Sequence, residues 1–353
     1  MLSREFCPFI AAGVVLFLSG VTFPQPLLAP PQNLGPKINS SGGEADPFLT
    51  ADGKKLFFAA YGRPGSIGQE DIWFSEWTDT GWTAAQILGP QINSGRIEKS
   101  PSVSPDGQKL YYVDSERGGF NWDIWVSTWD SNLNDWGAPQ NLGPPVNMPG
   151  TEFSAHLGPD GRHLYFTSIV YIPDSLSRCG LYVSEWNGTS WSEPVGFPKP
   201  GFCNDGEYPS ITADSVWFYF EYFVSDGLGS YVSHWNGSTW EPPIDLRPQI
   251  GGRSTSPFVV PSGDSLFFGS IDLGGFGNSD IYVMPRAVLG DLNLDGQLTT
   301  TDVVLELNSV FLGDSFPAPP ASADCNCDGQ LSPADVVLLL NATFLGKSFP
   351  CSI

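Results

Sequence analysis

Apolar and polar positions follow one design repeated along most of the chain. A turn of the Asp-Gly kind, Ala51-Asp52-Gly53-Lys54, returns as Pro105-Asp106-Gly107, Pro159-Asp160-Gly161, Ala213-Asp214-Ser215 and Pro261-Ser262-Gly263, at spacings of 54, 54, 54 and 48 residues. Behind each turn stands a short apolar run: Leu56-Phe57-Phe58, Leu110-Tyr111-Tyr112, Leu164-Tyr165-Phe166, Trp217-Phe218-Tyr219 and Leu266-Phe267-Phe268. Runs of this length, rich in aromatic and β-branched residues and bounded by turn residues, predict strands. A glycine-rich loop follows, then a third strand reading Asp71-Ile72-Trp73, Asp123-Ile124-Trp125, Gly180-Leu181-Tyr182, Gly229-Ser230-Tyr231 and Asp280-Ile281-Tyr282. In four units the pairs Trp77/Trp82, Trp129/Trp136, Trp186/Trp191 and Trp235/Trp240 flank the turn into a fourth strand.

Each unit is thus a four-stranded meander of about 50 residues, the size of one propeller blade. The fifth unit stops at Arg286 without its fourth strand, and the missing words stand at the other end of the chain. Gln32-Asn33-Leu34-Gly35-Pro36 matches Gln140-Asn141-Leu142-Gly143-Pro144. The expected fold is therefore mainly β, a closed five-bladed β-propeller over residues 27–286, with the segment near 27–35 as the outer strand of blade five. Closure removes the two open sheet edges that a row of blades would expose.

The succession Asn-Leu-Gly-Pro, Ile-Asn-Ser, Glu, Ser-Pro-Asp-Gly, Leu-Tyr and Asp-Ile-Trp, clearest from Asn33 to Trp129, resembles the TolB-like, WD-repeat-like propeller units of exported bacterial proteins. The resemblance implies a rigid binding platform. In a meander the first-to-second and third-to-fourth turns share one face, and the second-to-third loops share the other with the blade-to-blade linkers. Loops on a rigid scaffold are where binding usually occurs, so the loop face is the candidate ligand surface.

On that face Glu44, Glu98, Glu152 and Glu207 precede the inner strands of blades one to four, with Ser254 in blade five. Such a ring can accept backbone N–H bonds at the blade junctions, bind a cation or ligand, or supply acid–base chemistry, the first being the reading that near-identical repetition favours. A glycosidase needs two carboxylates with different roles. His156, His163 and His234 fall within strands and read as blade packing, as do the tryptophan pairs. No Gly-x-Ser-x-Gly elbow, His-Glu-x-x-His or phosphate-binding glycine loop is present in the sequence. Cys179 and Cys203 fall on the same face of neighbouring blades, and a disulfide between them would add about 3 kcal/mol in the chain-entropy model.

Beyond Arg286 the pattern changes. Asp291, Asn293, Asp295, Gln297, Thr299 and Asp302 occupy positions one, three, five, seven, nine and twelve of an EF-hand-type loop, with Gly296 at six. The same loop recurs 33 residues later with Asp324, Asn326, Asp328, Gln330, Ser332 and Asp335. An apolar helix follows each loop. Asp at position twelve and no helix entering the loops make residues 289–353 resemble a type I dockerin. That resemblance implies two Ca²⁺ ions held by these residues, and a cohesin-like or cell-surface protein as partner. Dockerin helices usually carry a Lys or Arg on the recognition face, and residues 305–312 and 336–345 have none. The pairing of Cys325, Cys327 and Cys351 stays open.

Residues 1–22 read as a signal peptide: Arg4, then an apolar run from Phe9 to Leu18, which is short of the roughly 20 residues that span a bilayer. The expected location is outside the cytoplasm, secreted or at the cell surface, with no membrane attachment once the signal is removed. Sixteen basic residues against 38 acidic ones give a net charge of −22, which repels phosphate backbones and excludes nucleic acid as a partner. The favoured function is a non-catalytic binding or scaffold protein, its propeller presenting a face to an extracellular glycan or protein and its dockerin-like tail attaching it through calcium. The alternative is a glycan-active hydrolase of O-glycosyl bonds, acting in polysaccharide degradation and tethered by the same tail. Unequal acidic residues at the channel mouth would mark the alternative.

Overall fold

The computed structural model describes residues 26–350 apart from 27, 116–121, 171–177, 198–206, 225–226 and 295–296. The described residues form five antiparallel sheets. Their inner strands are Gly43–Leu49, Glu98–Val103, Gly150–Leu157, Glu207–Ile211 and Thr255–Val259. Outside them lie Lys55–Tyr61, Lys109–Ser115, His163–Val170, Trp217–Val224 and Ser265–Ser270, followed by the third strands and short outer ones. The second strands carry the deepest side chains, among them Leu56, Phe58, Leu110, Tyr112, Leu164, Phe166 and Phe268. The mainly β, five-bladed architecture expected from the repeats is what the chain adopts, with two helices near its C-terminus.

Closure is by the N-terminal segment. Gln32–Asn33 pairs antiparallel with Asp280–Pro285, Gln32 opposite Val283 and Asn33 opposite Tyr282. Ala29 N–H donates to the Pro285 carbonyl at 2.7 Å and Leu34 N–H to that of Ile281 at 3.1 Å. The Asn33 side chain also donates to Asp280 at 2.8 Å, as Asn141 does to Asp123 at 2.7 Å within blade two. The closing blade is therefore built from the same contacts as an ordinary one.

The Ile-Asn words of the linkers act as clips. Asn93 accepts from Ile72 N–H at 2.8 Å and donates to the carbonyls of Ile72 and Leu88 at 2.9 Å. Asn39 makes the same two-way contact with Ile281, and Asn147 with Ile124. Ile38, Ile92 and Val146 beside these amides are buried. Each clip satisfies backbone groups where the third strand passes its short outer partner, groups that are costly to bury unpaired. The aspartate opening the third strand likewise serves the backbone. Asp71 accepts from Ile67 and Gly68 N–H, and Asp280 from Phe276 and Gly277 N–H, which winds the preceding loop.

All five inner strands are bulged at one position, and there a non-glycine residue takes a left-handed backbone: Asp46 (φ 52°), Ser100 (52°), Ser154 (56°), Tyr208 (55°) and Ser256 (50°). In four of them a proline follows. Such conformations cost about 1–3 kcal/mol each and persist where the surroundings over-determine them. Here Asp46 supplies part of that restraint. It accepts from Ser100 N–H and Oγ at 3.0 Å and from Ser256 Oγ at 2.6 Å, tying blades two and five to blade one at the axis.

In the tail, helices Thr300–Leu312 and Pro333–Leu345 each begin with a capping box and end on a left-handed glycine, Gly313 or Gly346. Cys327 is disulfide-bonded and Cys325 is a buried thiol. The segment 1–22, Cys203, Cys351 and the side chain of Cys179 lie outside the described residues. No helix of the described residues is long and apolar enough to cross a membrane.

Asn93→Ala removes a buried clip: Ile72 N–H loses its acceptor and the Leu88 carbonyl its donor, while the Ile72 carbonyl keeps only Leu88 N–H at 3.0 Å. The expected loss is about 2–4 kcal/mol, read as a fall in Tm of roughly 5–10 °C. A shift within about 1 °C by differential scanning calorimetry would show the clip to be dispensable.

Candidate functional site

The bulges on the inner strands aim side chains at the axis, and the repeats stop being equivalent there. Where four blades carry Ser100, Ser154, Tyr208 and Ser256, blade one carries Asp46. Toward the loop face Lys99 donates to the Tyr208 hydroxyl at 3.4 Å, and its ammonium lies 4.1 Å from the centre of the Trp122 ring, a cation–π contact. Glu70, at the head of its strand, is pushed up to about 7 by burial first, then by the charge of Asp46. Lys99 acts on it in the opposite direction. Asp46, Glu70, Lys99, Tyr208 and Trp122 therefore form a mixed-charge, aromatic cluster at the loop-face end of the channel. This arrangement can grip a polar ligand between an ammonium, a phenol and two carboxylates of different character.

Below the cluster the channel is nearly plugged, with about 30 Å³ of open space beside Asp46, Tyr208 and His156. His156 is buried between Phe48 and Phe258, its ring 5.9 Å from each. Burial pushes it down to about 4, so the imidazole is neutral at physiological pH. His163 instead pairs with Asp160 at the surface, and His234 with Glu241 at 3.1 Å.

The repeated glutamates lie beneath the loop face rather than on it. Glu44 accepts from Ser40 N–H at 3.0 Å and from its hydroxyl, and forms a buried ion pair with Arg63 at 3.0 Å. Glu98 accepts from Ser94 N–H and hydroxyl in the same way. Glu152 accepts from Ser168 Oγ at 2.9 Å, and its second oxygen makes no hydrogen bond of normal geometry although the Met148 amide is close enough to favour its charge. All three are fully buried. Glu207 stands opposite Glu221 immediately before its bulge, one position out of step with the other three, and its side chain lies outside the described residues. In blade five Ser254 contributes a hydroxyl that accepts from Ser230 N–H at 3.0 Å.

The loop face itself is assembled as the strand order requires. Gln69 N–H donates to the Arg96 carbonyl at 2.8 Å and Asn278 N–H to that of Gly42, so the loops of blades one and five lean on the next blade's linker. Arg96 binds Asp114 through two bonds of 2.9 and 2.7 Å, and Arg253 binds Asp272 likewise.

In the tail, Asp324 accepts from the N–H groups of Asp328 and Gly329 on opposite oxygens at 3.0 and 2.7 Å, and Asn326 accepts from Asp328 N–H at 2.9 Å. The twelfth-position carboxylates turn inward instead. Asp302 accepts from Leu292, Asn293 and Thr299 N–H and from Thr299 Oγ1, and Asp335 from Asn326 and Ser332 N–H and Ser332 Oγ. They brace loop to helix, and no three carboxylates, imidazoles or thiols of the described residues converge as a metal cluster. Asp295 lies outside the described residues. Facing the second loop, Glu306 is fully buried with neither oxygen hydrogen-bonded, where the sister helix has Leu339. Burial and Asp335 push it up to about 8.

Asp46, Glu70, Lys99 and Tyr208 do not emerge from what the blades have in common. The signal was their difference: aligned at the inner-strand bulge, one blade has a carboxylate and one a phenol among serines.

No family model matches the sequence, and no curated protein matches it. Among solved structures it is similar to TolB from Acinetobacter baumannii, with 17% identity over 69% of this chain and 54% of that one and a TM-score of 0.43. The chain thus spans about half the length of that protein. It is also similar to the catalytic domain of a GH62 alpha-L-arabinofuranosidase from Coprinopsis cinerea (15% identity, 75% and 98% covered, TM-score 0.49) and to the alpha-L-arabinofuranosidase of Podospora anserina (15%, 74% and 95%, 0.47). With TM-scores below 0.5 these similarities carry no argument about activity; the architecture rests on the chain's own strand pairing.

Burial raises Glu98 and Glu152 from 4.5 to about 7. Their contribution to stability is full below about pH 4.5 and falls as pH rises through 7, because ionisation penalises the folded state. Glu98→Gln is expected to flatten the decline of Tm across that window relative to the unaltered protein. Equal slopes would contradict it.

Proposed function

We propose that this chain is an exported two-module binding protein. Its propeller presents the loop-face cluster at the axis to an extracellular glycan or protein ligand, and its C-terminal module attaches it, through calcium, to a cohesin-like or cell-surface partner. The observation that carries the reading is a duplicated apolar face on the tail helices. Val304, Leu307, Phe311 and Leu312 on the first helix recur 33 residues on as Val337, Leu340, Phe344 and Leu345, and all eight are exposed, Phe311 and Phe344 at 61% each. Twofold-repeated exposed apolar residues of this size mark an interaction surface, and an extracellular module that docks through either copy would use them. The absence of Lys and Arg from these stretches makes the contact apolar rather than ionic.

The residues of the loops fit calcium. Their donor set is carboxylate, amide and hydroxyl oxygen, the chemistry a hard cation takes. Asp324, Asn326 and Asp328 are drawn together at the start of the second loop, with Asn326 donating to Asp328 at 2.9 Å. Glu306 is a buried carboxylate with no hydrogen-bond partner beside this loop, a costly arrangement that a nearby cation offsets. When bound, calcium neutralises the crowded carboxylates. The chain's own groups, Asp302 and Asp335 above all, fix each loop to its helix. Export agrees with the disulfide at Cys327, since disulfides persist in oxidising compartments.

A hydrolytic reading also has a specific observation behind it. Glu70 and Asp46 stand near one another in unequal environments, and a carboxyl raised to about 7 is what a general acid needs. The glycan hydrolase is therefore the second reading, with Glu70 as acid.

Chelation of the full chain with EDTA is expected to abolish hydrogen-exchange protection in both tail helices while leaving the propeller strands protected. Tail protection indifferent to chelation would sink the calcium module. For the propeller, a panel of polysaccharides and host surface proteins should yield a ligand whose retention falls about tenfold in Lys99→Met, as loss of a charged contact implies. Release of reducing ends that Glu70→Gln abolishes would replace the binding reading with the hydrolytic one.

A further inference from the structure

The turn face carries a cleft that the repeats do not account for. It lies between blades one and two and encloses about 520 Å³, within the usual range of ligand sites. Aromatic contacts cross the next two junctions at this level, as Phe57 and Trp136 do beside the cleft at 6.4 Å. Between blades two and three Trp191 packs edge-on against Tyr111 at 6.2 Å, and between blades three and four Phe197, Phe218 and Trp240 lie 4.6–5.7 Å apart. The blade-two hairpin has six residues between its paired tryptophans, against four in blades one, three and four. Asn134 takes a left-handed backbone (φ 50°) to complete it. Trp136 sinks against Phe57, while Trp129 stays half-buried at the wall of the cleft.

The polar lining is fixed in a way that leaves acceptors open. Asp52 uses Oδ1 for Thr50 Oγ1 at 2.7 Å and Lys54 N–H at 3.0 Å; Asp106 uses Oδ1 for Ser104 Oγ and Gln108 N–H; Asp135 uses Oδ1 for Trp136 N–H at 2.8 Å. Among the described residues, Oδ2 of each is without a hydrogen bond. The Thr50 and Ser104 hydroxyls hold Asp52 and Asp106 below the ordinary carboxylate value, so both stay ionised. Lys55, tied to Glu76 at 3.0 Å, lies over one face of the Trp129 ring, 5.8 Å from its centre, and supplies one donor beside the indole.

From these features we propose that the cleft is a second ligand site, for a short neutral saccharide. Pre-positioned carboxylate oxygens accept from ring hydroxyls, an indole face takes the C–H face of a pyranose, and both are needed together only by a ligand that is polar at its edges and apolar on its flats. Four carboxylates against one ammonium repel anionic ligands, so uronates and phosphorylated sugars are excluded. The site stands on the opposite face from the axis cluster and does not rest on that cluster's role.

The test is a titration of the full-length protein with neutral xylo-, cello-, manno- and malto-oligosaccharides and with oligogalacturonate, followed by tryptophan fluorescence and calorimetry. At least one neutral series is expected to quench fluorescence and bind, oligogalacturonate to bind at least tenfold more weakly. Trp129→Ala and Asp135→Asn should each raise Kd about tenfold or more, while Arg162→Met, in an exposed ion pair of blade three, leaves it unchanged. Should Trp129→Ala fold poorly by circular dichroism, Asp135→Asn, which keeps side-chain shape, decides alone. Failure of every neutral saccharide to bind, equal affinity for oligogalacturonate, or binding indifferent to Asp135→Asn overturns the proposal. Loss of binding in Lys99→Met with none in Asp135→Asn moves the sugar to the axis cluster instead.

Discussion

The structure depends on a few backbone hydrogen bonds between residues about 250 positions apart. Gln32 and Asn33 complete a sheet begun at Thr255, and without them blade five would end in an open edge and the five inner strands would have no reason to circle an axis. Closing a loop of that length costs conformational entropy that local contacts must offset. The chain meets the cost with redundancy: the closing strand brings its asparagine to Asp280 and its linker asparagine to Ile281, the same contacts that secure blade two. Once the ring is shut, both faces and the channel follow from strand order.

A division of labour runs through the molecule. Residues that recur in several blades serve the scaffold: linker asparagines clip third strands, glutamates hold linker serines, aspartates wind loops. Their burial is what makes them structural, since a carboxylate that spends its lone pairs on N–H and O–H donors has little left for a ligand. Residues that occur once carry the chemical possibilities. Asp46 stands among serines, Lys99 holds a position that elsewhere is Ala45, Phe153, Glu207 or Thr255, and the longer blade-two hairpin borders the cleft. The tail obeys the same logic, with Glu306 where its repeat has Leu339.

The inner-strand bulges connect the two classes. A left-handed non-glycine residue is strained in isolation, and five of them round one axis, four ahead of a proline, represent a sizeable stored cost. Asp46 offsets part of it by bonding to Ser100 and Ser256, so one carboxylate both stabilises the hub and sets the charge felt by Glu70. The electrostatics of the axis and the stability of the ring are in this sense coupled through a single side chain.

Blade number, strand order, ring closure and the sharing of faces were legible in the chain, because each rests on repetition: a turn every 54 residues, and an Asn-Leu-Gly-Pro phrase displaced to the N-terminus, leave few ways to pair strands. The tail's loop-helix duplication was legible for the same reason, its repeated residues being spaced within a dozen positions. Burial of Glu44, Glu98 and Glu152 was not, since whether a linker carboxylate looks outward or under its own serine depends on the path of the chain around it. Nor were the axis cluster and the cleft. They join residues from different blades, and only tertiary packing decides which side chains meet and which gap a neighbour leaves unfilled.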